Sequence, residues 1–332
     1  MHKHPLFVAG IAFVVTGMLF VSYGQRRRIE TTAERVQPPP QAPGDPPPGD
    51  FTIKTNVKLV LLDVSVKDSA GGFVSDLTKD NFVVTEDGKP QTITQFASQD
   101  APVSIGIVVD ESGSMRSKRP EVITAALALI GASNPEDETF VINFNEKVFR
   151  GLPDRVLFSD NTNMLRNALW STQPEGRTAL YDALFASLRQ LDWGRRDKKT
   201  LVLISDGGDN ISTHNFKDVM NQVEKSLATI YTVGVFDEDD PDRNPGVLRD
   251  LARVSGGVAY FPQKLEEVVP ICKGIAKDIR NRYTIGYVPA GGSGKSQLRH
   301  IKLTVSAPDH GKLIARTRTS YLYSEEGVGE SR

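Results

Sequence analysis

Two apolar runs constrain this chain most: SIGIVVD at residues 104–110 and TLVLISD at residues 200–206. Each is too short for a buried helix and too uniformly apolar for a strand with one face in water. Both read as strands buried on two faces, the kind found in parallel sheets covered by helices. The intervening sequence repeats the pattern. Candidate strands are Val103–Asp110, Thr139–Asn145, Thr200–Ser205, Thr229–Val235 and Val258–Phe261. Candidate helices are Arg119–Gly131, Thr162–Trp170, Ala179–Leu191, Phe216–Leu227, Val247–Val254 and Leu265–Arg282. The alternation predicts an α/β fold, a doubly wound and mostly parallel sheet with helices on both faces, over residues 101–282.

The flanks differ in character. In residues 51–100, Asn56–Lys67 reads as a strand followed by the turn-rich Asp68–Gly72. Phe82–Thr85, the turn signal Glu86-Asp87-Gly88, and Gln91–Ala97 read as a hairpin. Residues 283–323 return to β character in YTIGYVP, LRHIKLTVSA and LIARTRTSYLY. Neither flank is long enough for a core of its own, so the economical arrangement pairs them in a smaller β-sandwich-like unit into which the α/β domain is inserted. Residues 324–332 are a tail.

Residues 25–50 include QPPPQAPGDPPPGD, a proline-rich linker that cannot enter a helix or a sheet interior. Before it, Lys3 precedes an apolar run from Leu6 to Val21, and small residues stand at Ser22 and Gly24. Residues 1–24 therefore read as a secretory signal peptide or a retained membrane anchor, the run lying at the lower edge of a bilayer span. Arg26, Arg27 and Arg28 sit awkwardly with either, because positive charge beside a span normally stays cytoplasmic. The expected location is secreted, periplasmic, or membrane-anchored facing outside the cytoplasm.

Composition removes several classes of function. The formal net charge is -1, which gives no electrostatic footprint for nucleic acid. Cys272 is the single cysteine, so neither an internal disulfide nor a cysteine-based zinc site can form. The histidines do not cluster. Glu-Ser-Gly-Ser-Met at 111–115 is not a nucleophile elbow, and no histidine has a partner role, so no enzyme is expected. Gly291–Ser296 ends like a phosphate-binding loop, but it lacks the leading glycine and precedes a strand. Asp237-Glu238-Asp239-Asp240 with Asp242 lacks the glycine and glutamate of a calcium loop and reads as solvated.

The informative residues are Asp110, Ser112 and Ser114, where an apolar strand ends and a helix is about to begin. A carboxylate and two hydroxyls in one loop are hard oxygen donors, suited to Mg²⁺ or Mn²⁺, with Ca²⁺ the other possibility. Thr178, at a helix start, and Asp206, directly after a strand, stand at comparable edges. Glu111 beside the site reads as facing solvent, and Asp209 and Asn210 as turn residues.

Asp110-x-Ser112-x-Ser114, a later Thr178, and Asp206-Gly207 together resemble the metal-ion-dependent adhesion site of von Willebrand factor type A domains, over roughly residues 103–282. The flanks, with Asp87-Gly88-Lys89-Pro90 and Tyr283–Pro289, are similar to a group of secreted bacterial type A domain proteins of unassigned role. The resemblance implies that Asp110, Ser112 and Ser114 hold the ion. It also implies that Thr178 contacts the ion when ligand is engaged, and that Asp206 binds it directly or through water. The open position of the ion would take an acidic side chain from a partner protein. Binding and not bond-breaking is then the expected output, and the alternative is an envelope scaffold in which the ion only stabilises the domain.

Overall fold

The computed structural model describes residues 59–237, 241–290 and 297–323. The N-terminal apolar run, the proline-rich linker, the Gly291–Ser296 loop, residues 238–240 of the acidic run and the tail lie outside the described residues. Among those described, no helix is long and apolar enough to cross a membrane.

The described chain begins with four strands, β1 (Val60–Lys67), β2 (Phe82–Glu86), β3 (Lys89–Gln91) and β4 (Ile93–Ala97). Asp87 and Gly88 turn β2 into β3, both with positive φ, as a two-residue hairpin connection demands. The predicted hairpin is only half of what forms. Its second arm, read as one strand over 91–97, divides at Thr92: β3 pairs with β2, whereas β4 crosses to another sheet.

The α/β region follows, with strands β5 (Val103–Asp110), β6 (Glu138–Phe144), β7 (Val148–Arg150), β8 (Lys198–Ser205), β9 (Thr229–Gly234) and β10 (Ala259–Tyr260). Its helices are α1 (Arg119–Ala132), α2 (Thr162–Leu169), α3 (Leu180–Leu191), α4 (Phe216–Lys225), α5 (Pro245–Ser255) and α6 (Val268–Arg280). The sheet order is β10-β9-β8-β5-β6-β7. All pairs are parallel except that between β6 and β7. Every residue of β5, β6 and β9 is buried, the polar ones included. The helices form two groups, α1 packing on α6 and α2, and α3 on α4, which packs on α5. Burying one Leu or Ile side chain contributes about 1.5–3 kcal/mol, so this core dominates stability. Cys272 is part of it, and burial pushes its thiol up to about 12, which makes it inert.

The last predicted helix is too long at its C-terminal end. α6 stops at Arg280, and Arg282 opens a strand, β11 (Arg282–Tyr287). β12 (Gln297–Val305), β13 (Ile314–Arg316) and β14 (Ser320–Tyr323) complete the chain. With the first four strands they build two sheets, β13-β1-β11-β4 and β14-β12-β2-β3. A second core, including Leu62, Val64, Phe82, Val84, Tyr283 and Ile285, lies between them.

Gly106 shows how tightly the central strand is packed. A Cβ there would stand 2.3 Å from Leu201 Cδ2 and 2.4 Å from Phe140 Cζ. Gly106→Ala is expected to destabilise the protein by about 1–3 kcal/mol through overpacking. The check is the urea midpoint at unchanged slope, and a wild-type midpoint would mean that Leu201 and Phe140 can withdraw.

Candidate metal centre at the carboxyl edge of the central sheet

β5 and β8 are neighbours, but the chain leaves them in opposite directions, from β5 toward β6 and from β8 toward β9. The crevice outside the carboxyl ends of strands at such a reversal is where open α/β sheets take ligands. Asp110 is the last residue of β5, and Asp206 directly follows Ser205, the last of β8. Parallel pairing of the two strands thus brings together carboxylates that are 96 positions apart in sequence (206 minus 110).

Four of the five predicted residues are joined by direct hydrogen bonds. The Ser112 amide donates to Asp110 Oδ1 at 2.9 Å, and the Ser114 hydroxyl donates to Asp206 Oδ2 at 2.7 Å. With that proton committed, Ser112 Oγ donates to Ser114 Oγ, 3.1 Å away. Thr178 is placed by its backbone instead. Its amide donates to Asn210 Oδ1 at 3.0 Å, its carbonyl accepts from the Asn210 amide at 3.0 Å, and its side chain is not hydrogen-bonded to the other four. Its loop still abuts theirs, because the Gly113 amide donates to the Gly176 carbonyl at 3.1 Å.

Both carboxylates are 2% exposed. Burial first, and then the charge of Asp206, push the Asp110 carboxyl up to about 7, against hydrogen bonds from Ser112 and Ser205. The three basic residues that follow the loop are committed elsewhere, Arg116 to the Pro174 carbonyl at 3.2 Å, Lys118 to Asp237 at 3.0 Å and Arg119 to Glu111 at 2.9 Å. Two acidic groups therefore converge with no cation of the chain paired to either among the described residues.

Several supports were not read from the sequence. Ser205 donates to Asp110 Oδ2 at 2.6 Å and accepts from the Gly207 amide at 2.9 Å, so it ties the two strand ends together. Its position directly before Asp206 was the available signal. Asn210 fixes Thr178, and Asp209 Oδ2 accepts from the Tyr181 amide at 2.9 Å, satisfying an orphan donor at the start of α3. Gly207 has φ of +79°, and a Cβ there would meet the Asn244 carbonyl oxygen at 2.6 Å, so only glycine lets the chain turn immediately after Asp206.

Glu111 corrects the solvent-facing expectation. It is fully buried, its carboxylate accepts from Arg119 Nε at 2.9 and 3.1 Å, and its carbonyl accepts from the Glu175 amide at 2.9 Å. Arg119 also donates to the Thr172 carbonyl and stacks over Trp170 at 4.6 Å. Glu111 thus braces the first loop against the segment leading to Thr178. Of the acidic run, Asp237 pairs with Lys118, and Asp242 accepts from Asn210 Nδ2 at 3.0 Å.

Among the described residues, no three of His, Cys, Asp and Glu gather as a metal cage. The donors here are two carboxylates and neighbouring hydroxyls, hard oxygen throughout. That set, with its unanswered negative charge, fits Mg²⁺ or Mn²⁺ better than a soft or borderline ion.

Residues 105–208, which include all five of these side chains, match the von Willebrand factor type A domain family. This region is a von Willebrand factor type A domain. No curated protein matches the chain in sequence. Among solved structures, a von Willebrand factor type A protein from Catenulispora acidiphila is 15% identical, with 82% of this chain and 76% of that one aligned at a TM-score of 0.49. The von Willebrand domain of the type V pili tip protein Mfa5 from Porphyromonas gingivalis is 13% identical, over 54% of this chain and 95% of that one, at 0.46. BatB from Bacteroides thetaiotaomicron is 17% identical, over 53% and 98%, at 0.43. The type A assignment stands on the family match and on the sheet order and helices described above.

Proposed function

We propose that the type A domain is a non-enzymatic, divalent-metal-dependent module that binds a partner protein through an acidic side chain, outside the cytoplasm. The observation that carries this is the pair of buried carboxylates, Asp110 and Asp206, meeting at the sheet's switch point with no cation paired to either among the described residues. Asp110 and Asp206 would supply the charge that holds Mg²⁺ or Mn²⁺. Ser112 and Ser114 lie against both and would add neutral oxygen, and Thr178 closes the rim. A bound ion of this kind retains exchangeable positions and a net positive charge, which is what a partner carboxylate needs. The surrounding bonds from Ser205, Asn210, Asp209 and Glu111 keep the three loops in place, so little ordering remains to oppose binding. The export reading rests on Lys3 and the run Leu6–Val21.

The test is affinity capture from an envelope extract with wild type and Asp206→Asn, each in Mg²⁺ and in chelator. A partner retained only by wild type in Mg²⁺, with at least a tenfold loss in the other three lanes, is the expected result. Equal retention in all four overturns the reading. If the metal then still raised the melting temperature, the ion would serve the fold alone, as in a scaffold.

A further inference from the structure

A second concavity lies away from the metal centre, where the C-terminal end of α5 faces β12, β13 and the segment leading to β14. Its volume is about 530 Å³, within the range of small-ligand sites. Five of its lining residues are basic, Arg249, Arg253, Lys302, Arg316 and Arg318, and none is acidic. In a chain whose acidic and basic residues are nearly balanced, 41 against 40, such segregation of sign is unusual. Four of the five are exposed; of these, Arg253 donates to Asp250 at 3.0 Å and Arg249 rests on a ring, which leaves Lys302 and Arg316 the readiest to meet a ligand.

Behind the wall lie two unpartnered polar groups, both sealed from solvent. Arg318 is 4% exposed, its Nη2 donates to the Ser226 carbonyl at 2.7 Å, and its Nη1 is cut off from solvent with no hydrogen-bond partner. Thr317 Oγ1, next to it, is in the same condition. Burial pushes Arg318 down to about 10, so it remains charged at neutral pH. Buried polar groups without partners are uncommon and costly, and ligand sites are one place where they occur. Arg249 already lies over the Phe261 ring at 4.7 Å, which limits the freedom it would lose on binding. The buried side chains of Ala252 and Ile301 add an apolar patch.

We propose that this cleft, between α5 and the strands β12 and β13, binds a compact ligand bearing two or more negative charges, such as a phosphate ester or polycarboxylate. Arginine is suited to this because its planar fork matches phosphate and carboxylate oxygens in pairs. The proposal is independent of the metal centre and does not need it to be filled.

The experiment is calorimetric titration of the full chain, in metal-free buffer at low ionic strength, with inorganic tripolyphosphate and, separately, citrate. Saturable one-to-one binding of at least one is expected. Lys302→Glu with Arg316→Glu should weaken it by about tenfold or more, the effect of losing charge-assisted contacts. Both positions are exposed, so the variant should keep the wild-type melting curve. Lys217→Glu with Lys273→Glu, both exposed and outside this cleft, should leave binding unchanged. Binding of one probe and not the other assigns the class. Absence of saturation with both probes overturns the proposal. So does equal weakening by the two double variants, which would show a diffuse electrostatic effect.

Discussion

Asp110→Asn is expected to raise the melting temperature of the metal-free protein and to abolish the rise that Mg²⁺ binding at this site would give. In the absence of metal, the Asp110 carboxyl is held near 7 by burial and by Asp206, against about 3.9 for an unfolded aspartate. A raised carboxyl pKa means that the folded state binds the proton more tightly. The penalty is therefore absent below the unfolded value, grows as pH rises between about 4 and 7, and is complete above that range. Three units correspond to about 4 kcal/mol at most, shared with Asp206, or roughly 10 °C for a protein of this size. Asn cannot ionise and keeps an acceptor for the Ser112 amide, so the chelated variant escapes the penalty. It also loses half of the charge available to a divalent ion. Differential scanning calorimetry in chelator and in Mg²⁺, at pH 5 and pH 8, measures both effects. A chelated variant less stable than wild type at pH 8 would show that Asp110 is held by contacts worth more than its charge costs.

Arg282→Met is expected to cost about 3–5 kcal/mol, the largest loss of any single change considered, because it strands a buried charge. Arg282 is 3% exposed and Asp278 is fully buried. Arg282 Nη2 donates to Asp278 Oδ2 at 3.2 Å, and to Tyr231 Oη at 2.8 Å. Ser65 donates to Asp278 Oδ1 at 2.7 Å, Tyr231 donates to Oδ2, and Lys67 lies 3.8 Å from Oδ1. These residues come from β1, β9, α6 and β11, so the cluster fastens the type A domain to the flanking sheets. Burial alone would raise the Asp278 carboxyl, but Arg282, Tyr231, Ser65 and Lys67 hold it below the ordinary range. That stabilisation is present above the unfolded pKa and is lost as pH falls through the folded one. The deficit of Arg282→Met is accordingly largest near neutral pH and shrinks on acidification, where Asp278 can be protonated. Asp278→Leu in the same chain should recover part of it, since a hydrophobic replacement removes the stranded charge. Urea unfolding of the two variants at pH 4 and pH 7 decides, and a pH-independent deficit would point to lost packing alone.

The same residues show what could be read in advance. Asp278 and Arg282 are four apart, a spacing that helices use for ion pairs, and the predicted helix ran to Arg282, two residues past the end of α6. The pair exists, but it spans a helix end and a strand start. β5 was legible to the residue because a strand buried on both faces is mostly apolar, and polar side chains interrupt this one only at Ser104 and Asp110. β7, three residues long with no residue buried, left no such trace. At the metal centre, Asp110 and Asp206 were visible because each ends an apolar run. Glu111 was not, because its partner, Arg119, is eight residues away across a turn and reaches it only in the fold. Asn210 likewise acts through a backbone amide, which no residue pattern reports.

β4 and β11 are adjacent strands, and Ala97 lies opposite Thr284 in their register. The chain therefore departs for the type A domain and comes back at a single rung of one ladder. The flanking sheets meet the inserted body at that rung and at the Asp278–Arg282 cluster beside it. Such a junction allows surface loops of the type A domain far from the cluster to be lengthened without re-registering a strand on either side.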